Sequence, residues 1–371
     1  MVLIEPFTYT GQPMRVVFGR GLRPLRDQVG ELGVSRAVVI STPDRTSLAR
    51  RVADAAGSAA IDVFGEAVMH VPAAVVDRAA QRCSDLGCDG YIATGGGSAI
   101  GLAKALALST GAPVIAVPTT YAGSEMTPVW GITEDRVKKT GRDAAVLPRA
   151  VLYDPTLTID LPASISVTSG MNAIAHAMEG LYAPDRSPIV SLMAREGARA
   201  LAAALPRIVR DPQNVGDRSE ALYGAWLCGA VLGATTMSLH HKLCHVLGGT
   251  FDLPHAQTHA IVLPHVMAFN APFAPDMVEG LNGLFGDGDP WTALWRLQRT
   301  LPMQTSLADL GLRQGDLAEV ARQATAAPYH NPRSITPGDI RALLARAWAG
   351  QEPDSLPPRG RTSPSLSKEF S

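Results

Sequence analysis

Gly90-Tyr-Ile-Ala-Thr-Gly-Gly-Gly-Ser98 decides how this chain folds. A short apolar run, residues 90–94, stops at a glycine triplet, and an apolar-periodic segment, residues 100–108, follows at once. That order reads as a buried strand, a tight turn and a helix. Glycines in such a turn let a ligand approach the backbone, and free amides at a helix start attract phosphate. Gly95, Gly96 and Gly97 with Ser98 do not make the G-x-G-x-x-G fingerprint, so alone they are equally a simple turn.

The same alternation runs outward on both sides. Residues 36–41, 60–64, 113–117 and 150–153 read as strands, and residues 47–56 and 73–86 as helices. Residues 7–18 alternate like a strand or hairpin, and residues 19–33 carry an amphipathic helical period. Short apolar strands between helices predict an α/β domain over residues 1–160, a parallel sheet with helices on both faces. Beyond it the strands cease. Residues 170–182, 187–204, 218–248, 289–300 and 338–349 read as helices rich in alanine and leucine, which predicts an all-α domain over residues 161–351. Residues 352–371 are rich in proline, serine and arginine without apolar period, and are expected to be a disordered tail.

Ligands of open parallel sheets sit at the carboxyl ends of the strands. Val117-Pro-Thr-Thr120 ends the strand after the glycine turn, and the hydroxyls of Thr119 and Thr120 suit a ribose or pyrophosphate. Two neighbouring strand ends of this kind together argue for a dinucleotide. The strand ending at Ser41 has no carboxylate at its tip, the usual partner of a ribose 2′-hydroxyl, so Ser41 leaves NADH and NADPH both open.

The densest chemistry lies in Leu239-His-His-Lys-Leu-Cys-His-Val-Leu-Gly-Gly-Thr-Phe-Asp-Leu-Pro-His255. His241 and His245 are four apart and share a helical face. The helix is expected to end near Gly248-Gly249, and His255 returns fourteen residues after His241. Three imidazoles can then surround one small volume, to bind a metal, move a proton or hydrogen-bond an oxyanion. A lone histidine on an apolar helix is ordinarily a hydrogen-bonded core residue. Here His240, His241, His245, His255 and His259, five of the nine histidines, fall within twenty residues, and clustering of that kind favours a site. His240, His259 and His265 are expected to be bystanders. Asn172-Ala-Ile-Ala-His176 puts Asn172 and His176 on one helical face and completes a four-point site. Asn172 is neutral, and a divalent metal among imidazoles prefers an anionic ligand, so no tightly held metal is expected.

Composition excludes other classes. Hydrophobic residues at 46% and charged residues at 18% suit a soluble globular protein. With 33 basic and 34 acidic residues the net charge is −1, which favours neither nucleic acid nor an anionic membrane. Cys83, Cys88, Cys228 and Cys244 form no C-x-x-C pair, which fits a reducing cytoplasm. No signal peptide and no membrane span are expected.

Taken together these stretches resemble the iron-containing alcohol dehydrogenase superfamily, which includes the dehydroquinate synthase-like proteins. The resemblance covers residues 1 to about 350. Its metal-dependent members carry Asp at the position of Asn172, and His at those of His176, His241 and His255. They also generally have Asp where this chain has Gly101. Within the superfamily the chain more closely resembles the maleylacetate reductases, through residues 93–104, Pro118-Thr-Thr-Tyr-Ala-Gly-Ser-Glu-Met-Thr127, Lys139-Thr-Gly-Arg-Asp143, Ser169-Gly-Met-Asn-Ala-Ile-Ala-His176 and the segment from His241 to His255. The resemblance implies reduction of the carbon–carbon double bond of maleylacetate, a dicarboxylate enone, to 3-oxoadipate, with NADH or NADPH and without a required metal. It adds Thr127 and Lys139 to the coenzyme-binding set and implies a homodimer. On this reading His176, His241 and His255 bind the enolate oxygen or a carboxylate, and His245 takes part in protonating the carbon α to the ketone. Asn172, Lys242 and Tyr329 contact substrate, and residues 329–333 offer donors for the second carboxylate; a solvent-facing Lys242 is the open alternative. Two alternatives stay open: a metal-dependent alcohol dehydrogenase of the same superfamily, and a nucleotide-binding relative without catalysis.

Overall fold

The structure is a computed structural model that describes residues 6–354 apart from residues 20 and 136. Most of the expected tail, residues 355–371, lies outside the described residues. The first half contains β1 (Arg15–Phe18), α1 (Leu25–Glu31), β2 (Ala37–Ile40), α2 (Thr46–Ala56), β3 (Ala60–Phe64), α3 (Ala73–Leu86), β4 (Gly90–Gly95), α4 (Gly97–Thr110), β5 (Val114–Pro118), β6 (Val129–Glu134), β7 (Val137–Arg142) and β8 (Ala150–Tyr153). Six strands form one sheet in the order β1-β8-β5-β4-β2-β3, and every pairing is parallel. Burial on both faces explains the unbroken apolar runs. Along β2, Val38 and Ile40 enter one apolar cluster while Ala37 and Val39 enter the other, on the opposite face.

Three local expectations need correction. Residues 7–14 form no strand, and only β1 pairs with the sheet. The helix expected over residues 19–33 is confined to α1, because Gly19 and Gly21 take left-handed φ of 72° and 65° and Pro24 caps the helix. The hairpin β6–β7, antiparallel and outside the main sheet, has no counterpart among the expected elements.

The second half is helical: α5 (Ala163–Gly180), α6 (Pro188–Arg210), α7 (Val215–Ala234), α8 (Leu239–Phe251), α9 (His255–Asn270), α10 (Pro275–Leu281), α11 (Pro290–Gln298), α12 (Leu317–Ala324) and α13 (Pro337–Trp348). Helix α5 is buried on every side from Ser166 to Gly180, as befits a helix apolar all round, and the others pack about it. The single helix expected over residues 218–248 is two, α7 and α8, meeting at 95°. The corner at residues 235–238 is held from elsewhere in the chain: Asp185 accepts from the backbone and hydroxyl of Thr236, at 3.0 and 2.7 Å. Helix α8 also runs two residues past Gly248-Gly249. It stops at Asp252, which takes the left-handed cap (φ 55°) and donates its N–H to the Leu247 carbonyl. Among the described residues no single helix is long and apolar enough to cross a membrane.

The sheet and the helices meet along the segment that follows β5. Gly123 (φ 78°) crosses Gly229 of α7 backbone to backbone. A Cβ on Gly229 would stand 3.0 Å from the Gly123 Cα and 3.1 Å from its carbonyl oxygen. Buried Lys104 of α4 holds the same segment, donating to the Ser124 carbonyl (2.5 Å), the Thr127 hydroxyl (2.9 Å) and the Val129 carbonyl (3.1 Å). Neither backbone at the crossing can rotate out of the way as a side chain would. Gly229→Ala should therefore destabilise the protein by about 1–3 kcal/mol, the usual penalty of overpacking, read from urea unfolding. An unchanged midpoint would show that the crossing gives way freely.

Candidate active site

The coenzyme end of the site is a cradle of backbone. The carboxyl ends of β4 and β5 lie side by side, with Gly95 paired to Pro118 and Thr119 N–H bonded to the Gly95 carbonyl at 3.0 Å. Gly95 turns with φ 139°. Gly96 sits so close to Thr120 that a Cβ would meet its Cγ2 at 2.9 Å, whereas nothing lies within 4 Å of a Cβ at Gly97. Helix α4 starts there without a side-chain cap and without an acidic residue in its first turn. Its leading amides, Gly97 and Ser98 among them, therefore point into open space beside Thr120, which fits a phosphate of a dinucleotide.

Three expected coenzyme residues sit differently. Ser41 is fully buried at the end of β2, with its N–H on the Phe64 carbonyl, its carbonyl on Ala67 N–H and its hydroxyl without a partner. Thr127 is also buried, and its hydroxyl accepts from Lys104 and donates to the Ser124 carbonyl, which makes it a brace of the loop. Lys139 stands exposed on β7 and pairs with Glu134 at 2.6 Å.

The histidines converge as the spacing predicts, with one addition. Asn172 and His176 come from α5, His241 and His245 from α8, and His255 from the start of α9. The His176 and His241 rings lie 5.2 Å apart by their centroids, and His241 and His245 6.2 Å. His245 and His255 are exposed and stack at 6.3 Å. His259 is no bystander: its ring lies 4.9 Å from His241, 4.9 Å from His240 and 4.2 Å from His255, so it fills the centre of the cluster. Its signal in the sequence was the four-residue step from His255, which puts both on one face of α9. His240 is buried against it, with Nε2 3.0 Å from the His259 carbonyl oxygen. His265 lies buried further along α9.

Glu179 escaped the sequence reading. It lies three residues after His176 on α5 and is completely buried. One carboxylate oxygen accepts from Ser238 N–H (2.8 Å) and meets His241 Nδ1 (2.7 Å). The other accepts from His240 N–H (2.7 Å) and the Tyr182 hydroxyl (3.3 Å). Burial works to raise its pKa, but the His241 hydrogen bond, the His241 and His240 rings and the Ser238 amide outweigh it and hold the carboxyl below the usual range. An acid inside an otherwise apolar helix was the available signal.

Tyr329 keeps its hydroxyl buried and unpartnered, with Glu179 near enough to help raise its pKa after burial. Lys242 is half-buried on α8. The remaining donors expected in residues 329–333 are largely occupied. Asn331 exchanges amide hydrogen bonds with Asn270 at 2.9 and 2.8 Å, and the buried Arg333 guanidinium lies over the Phe269 ring and donates to the Phe269 carbonyl.

Several buried polar atoms in this volume have no partner: Asn172 Oδ1, His176 Nδ1, His241 Nε2 and both ring nitrogens of His259. Such atoms mark a place for a polar ligand. A tightly held divalent metal fits them poorly. All are neutral donor types, and Glu179, the carboxylate beside them among the described residues, meets the far nitrogen of His241. Among the described residues the single His/Cys/Asp/Glu trio at ligand spacing is His240, Cys244 and His259, which includes none of His176, His241 and His255. In that trio burial keeps the Cys244 thiol well above its ordinary pKa, and His240 Nε2 is already engaged by a carbonyl.

Comparison with known proteins accords with this geometry. A model of the iron-containing alcohol dehydrogenases matches residues 13–155, and one of the C-terminal region of the Fe-containing alcohol dehydrogenase family matches residues 166–348. The chain is 54% identical over 348 residues to a maleylacetate reductase of Sphingobium indicum, spanning 94% of this chain and 99% of that one. It matches the crystal structure of maleylacetate reductase from Rhizobium sp. strain MTP-10005 with TM-score 0.90 and 50% identity, over 94% of this chain and 100% of that one. With sulfoacetaldehyde reductase from Bifidobacterium kashiwanohense, solved in complex with NAD+, it shares the fold: TM-score 0.84 at 24% identity, over 92% of this chain and 99% of that one.

The buried imidazoles make stability depend on pH. Burial, with neighbouring rings adding to it, holds His176 and His259 well below the usual imidazole range, and burial and the His241 ring push His240 down to about 4. Burial takes His265 down to about 3. These groups are neutral when folded and titrate near 6.5 when unfolded. Below about pH 6.5 the unfolded chain binds more protons, so stability falls as pH falls, by up to about 1.4 kcal/mol per pH unit for each such histidine. The urea midpoint should accordingly be much lower at pH 5 than at pH 7.5. A midpoint that does not move would mean that these rings are not neutral in the folded protein.

Proposed function

The chain belongs to the iron-containing alcohol dehydrogenase family, and within it we propose that it is a maleylacetate reductase. The observation that carries this reading is the set of buried polar atoms without partners on Asn172, His176 and His241, the two imidazole rings lying 5.2 Å apart. Near-full-length identity to maleylacetate reductases supports it.

Maleylacetate, NAD(P)H and a proton give 3-oxoadipate and NAD(P)+. Bound reduced nicotinamide, NADH or NADPH, supplies the hydride, which adds to the alkene carbon β to the ketone. The carbon–carbon double bond becomes an enolate, and negative charge collects on the ketone oxygen. A proton then closes the carbon α to the ketone. The residues divide along these steps. The amides of Gly96, Gly97 and Ser98, with Thr119 and Thr120, hold the coenzyme phosphates. His176, His241 and His255 surround the ketone oxygen or a carboxylate. Hydrogen-bond donors aimed at a forming oxyanion lower the barrier by about 3–4 kcal/mol each. Exposed His245, one helical turn from His241, exchanges the proton with solvent. Asn172, Lys242 and the buried Tyr329 hydroxyl orient the rest of the substrate. Oxyanion stabilisation of this kind requires no metal, which agrees with an amide at position 172. Association into a homodimer is part of the same reading.

Purified protein should oxidise NADH or NADPH with maleylacetate at equal rates before and after EDTA treatment. Coenzyme deuterated at the nicotinamide C4 should place one deuterium on the carbon β to the ketone of 3-oxoadipate. Alanine at His241 or His245 should lower kcat/KM by roughly 100-fold or more. Activity lost to EDTA and restored by zinc or iron would instead favour a metal-dependent member of the family, and near-normal turnover of the histidine variants would remove the assigned roles.

A further inference from the structure

We propose that Glu179 is a positioning residue of the reaction: it fixes the proton of His241 on Nδ1 and so makes Nε2 the nitrogen that works on substrate. The inference rests on reading this site as that of the enone reductase, and it goes beyond that reading by naming what orients the central ring.

The four acceptor directions of the carboxylate are fully occupied. Oε2 takes Ser238 N–H at 2.8 Å and His241 Nδ1 at 2.7 Å, and Oε1 takes His240 N–H at 2.7 Å and the Tyr182 hydroxyl at 3.3 Å. An ionised carboxylate only accepts, so the hydrogen between it and His241 belongs to Nδ1. The opposite nitrogen, Nε2, is buried without a partner, beside His176 Nδ1 and Asn172 Oδ1, which are equally unpartnered. A bond to a buried carboxylate selects which imidazole nitrogen carries hydrogen and which faces the reacting atom. With hydrogen on Nδ1, Nε2 presents its lone pair; once Nε2 takes a proton it can donate to the enolate oxygen, and the carboxylate behind the ring balances the imidazolium so formed. Neutral Asn172 cannot supply that charge.

Glutamine at position 179 keeps the shape and removes the arrangement. If its amide nitrogen takes the Oε2 place, it confronts Ser238 N–H and donates to His241 Nδ1, which drives the ring hydrogen to Nε2. If it takes the Oε1 place, it confronts His240 N–H and leaves a neutral acceptor behind the ring. The expected result for Glu179→Gln is a kcat lower by roughly 100- to 10,000-fold, the scale seen when a histidine loses its orienting carboxylate. The KM for maleylacetate and the Kd for NADH should stay within about threefold. Tyr182→Phe removes another donor to the same carboxylate without touching His241 and should keep kcat within about threefold. In wild-type protein, 15N spectra of the histidine rings, assigned by difference with His241→Asn, should show hydrogen on His241 Nδ1. This last measurement stands whether or not the glutamine variant folds. Hydrogen on Nε2 alone in the wild type would overturn the proposal. So would a folded Glu179→Gln protein with kcat within threefold of wild type, or one whose KM and Kd rise as much as kcat falls. Wild-type turnover of maleylacetate tests the reaction itself, so failure of that reading is told apart from failure of this one.

Discussion

One buried carboxylate holds the catalytic half of the molecule in shape. Helix α8 begins inside the protein, at a corner where water cannot satisfy its first amides. Glu179, reaching across from α5, accepts from Ser238 and His240 at that start. Leaving either amide bare would cost about 1–3 kcal/mol, and the positive end of the α8 dipole favours an anion there. The same side chain binds His241. The contact that lets α7 turn through 95° into α8 is thus also the contact that aims a histidine at the site. Ser238 extends the tie with a hydroxyl bond to the His330 carbonyl, which brings in the segment carrying Tyr329.

A second constraint joins this half to the sheet. The segment after β5 leaves the coenzyme cradle at Thr119 and Thr120 and passes Gly123 directly over α7. It also passes His176, whose Nδ1 would lie 3.5 Å from a Cβ on Gly123. Lys104, two turns from the uncapped start of α4, clamps that segment through three bonds. The backbone that follows β5 and the backbone that borders the histidines are therefore one continuous, braced stretch. The position of the β4 and β5 ends relative to the imidazoles follows from the packing of two glycines and one buried lysine.

These constraints also mark where the sequence could be read and where it could not. The alternation of strands and helices was legible, because a strand buried on both faces must be apolar throughout and glycine must close it. The pairs Asn172–His176 and His241–His245 were legible because i, i+4 spacing fixes a helical face. The corner between α7 and α8 was hidden, since residues 221–239 are apolar or small almost throughout and the groups that hold the bend lie at Asp185 and Glu179. A local window cannot see a cap supplied from 59 positions away. The burial of Ser41, Thr127 and His259 was hidden for a related reason. Residue type suggested what each could bind, but burial and neighbours decide which polar atoms remain free to bind it.

Asn172 becomes intelligible in electrostatic terms. On the proposed reaction the substrate brings two carboxylates, and a third negative charge forms on the ketone oxygen. An aspartate in place of Asn172, without a cation to offset it, would repel a charge 4 Å away by about 4 kcal/mol at an effective dielectric of 20, several orders of magnitude in rate. An asparagine removes that repulsion while keeping a polar group of the same shape. The negative charge the site does retain, Glu179, stands behind His241, with the ring between it and the reacting oxygen. There it polarises the imidazole towards substrate instead of opposing the enolate. A metal site solves the oxyanion problem with a cation in front; the proposed reaction would solve it here with an anion behind.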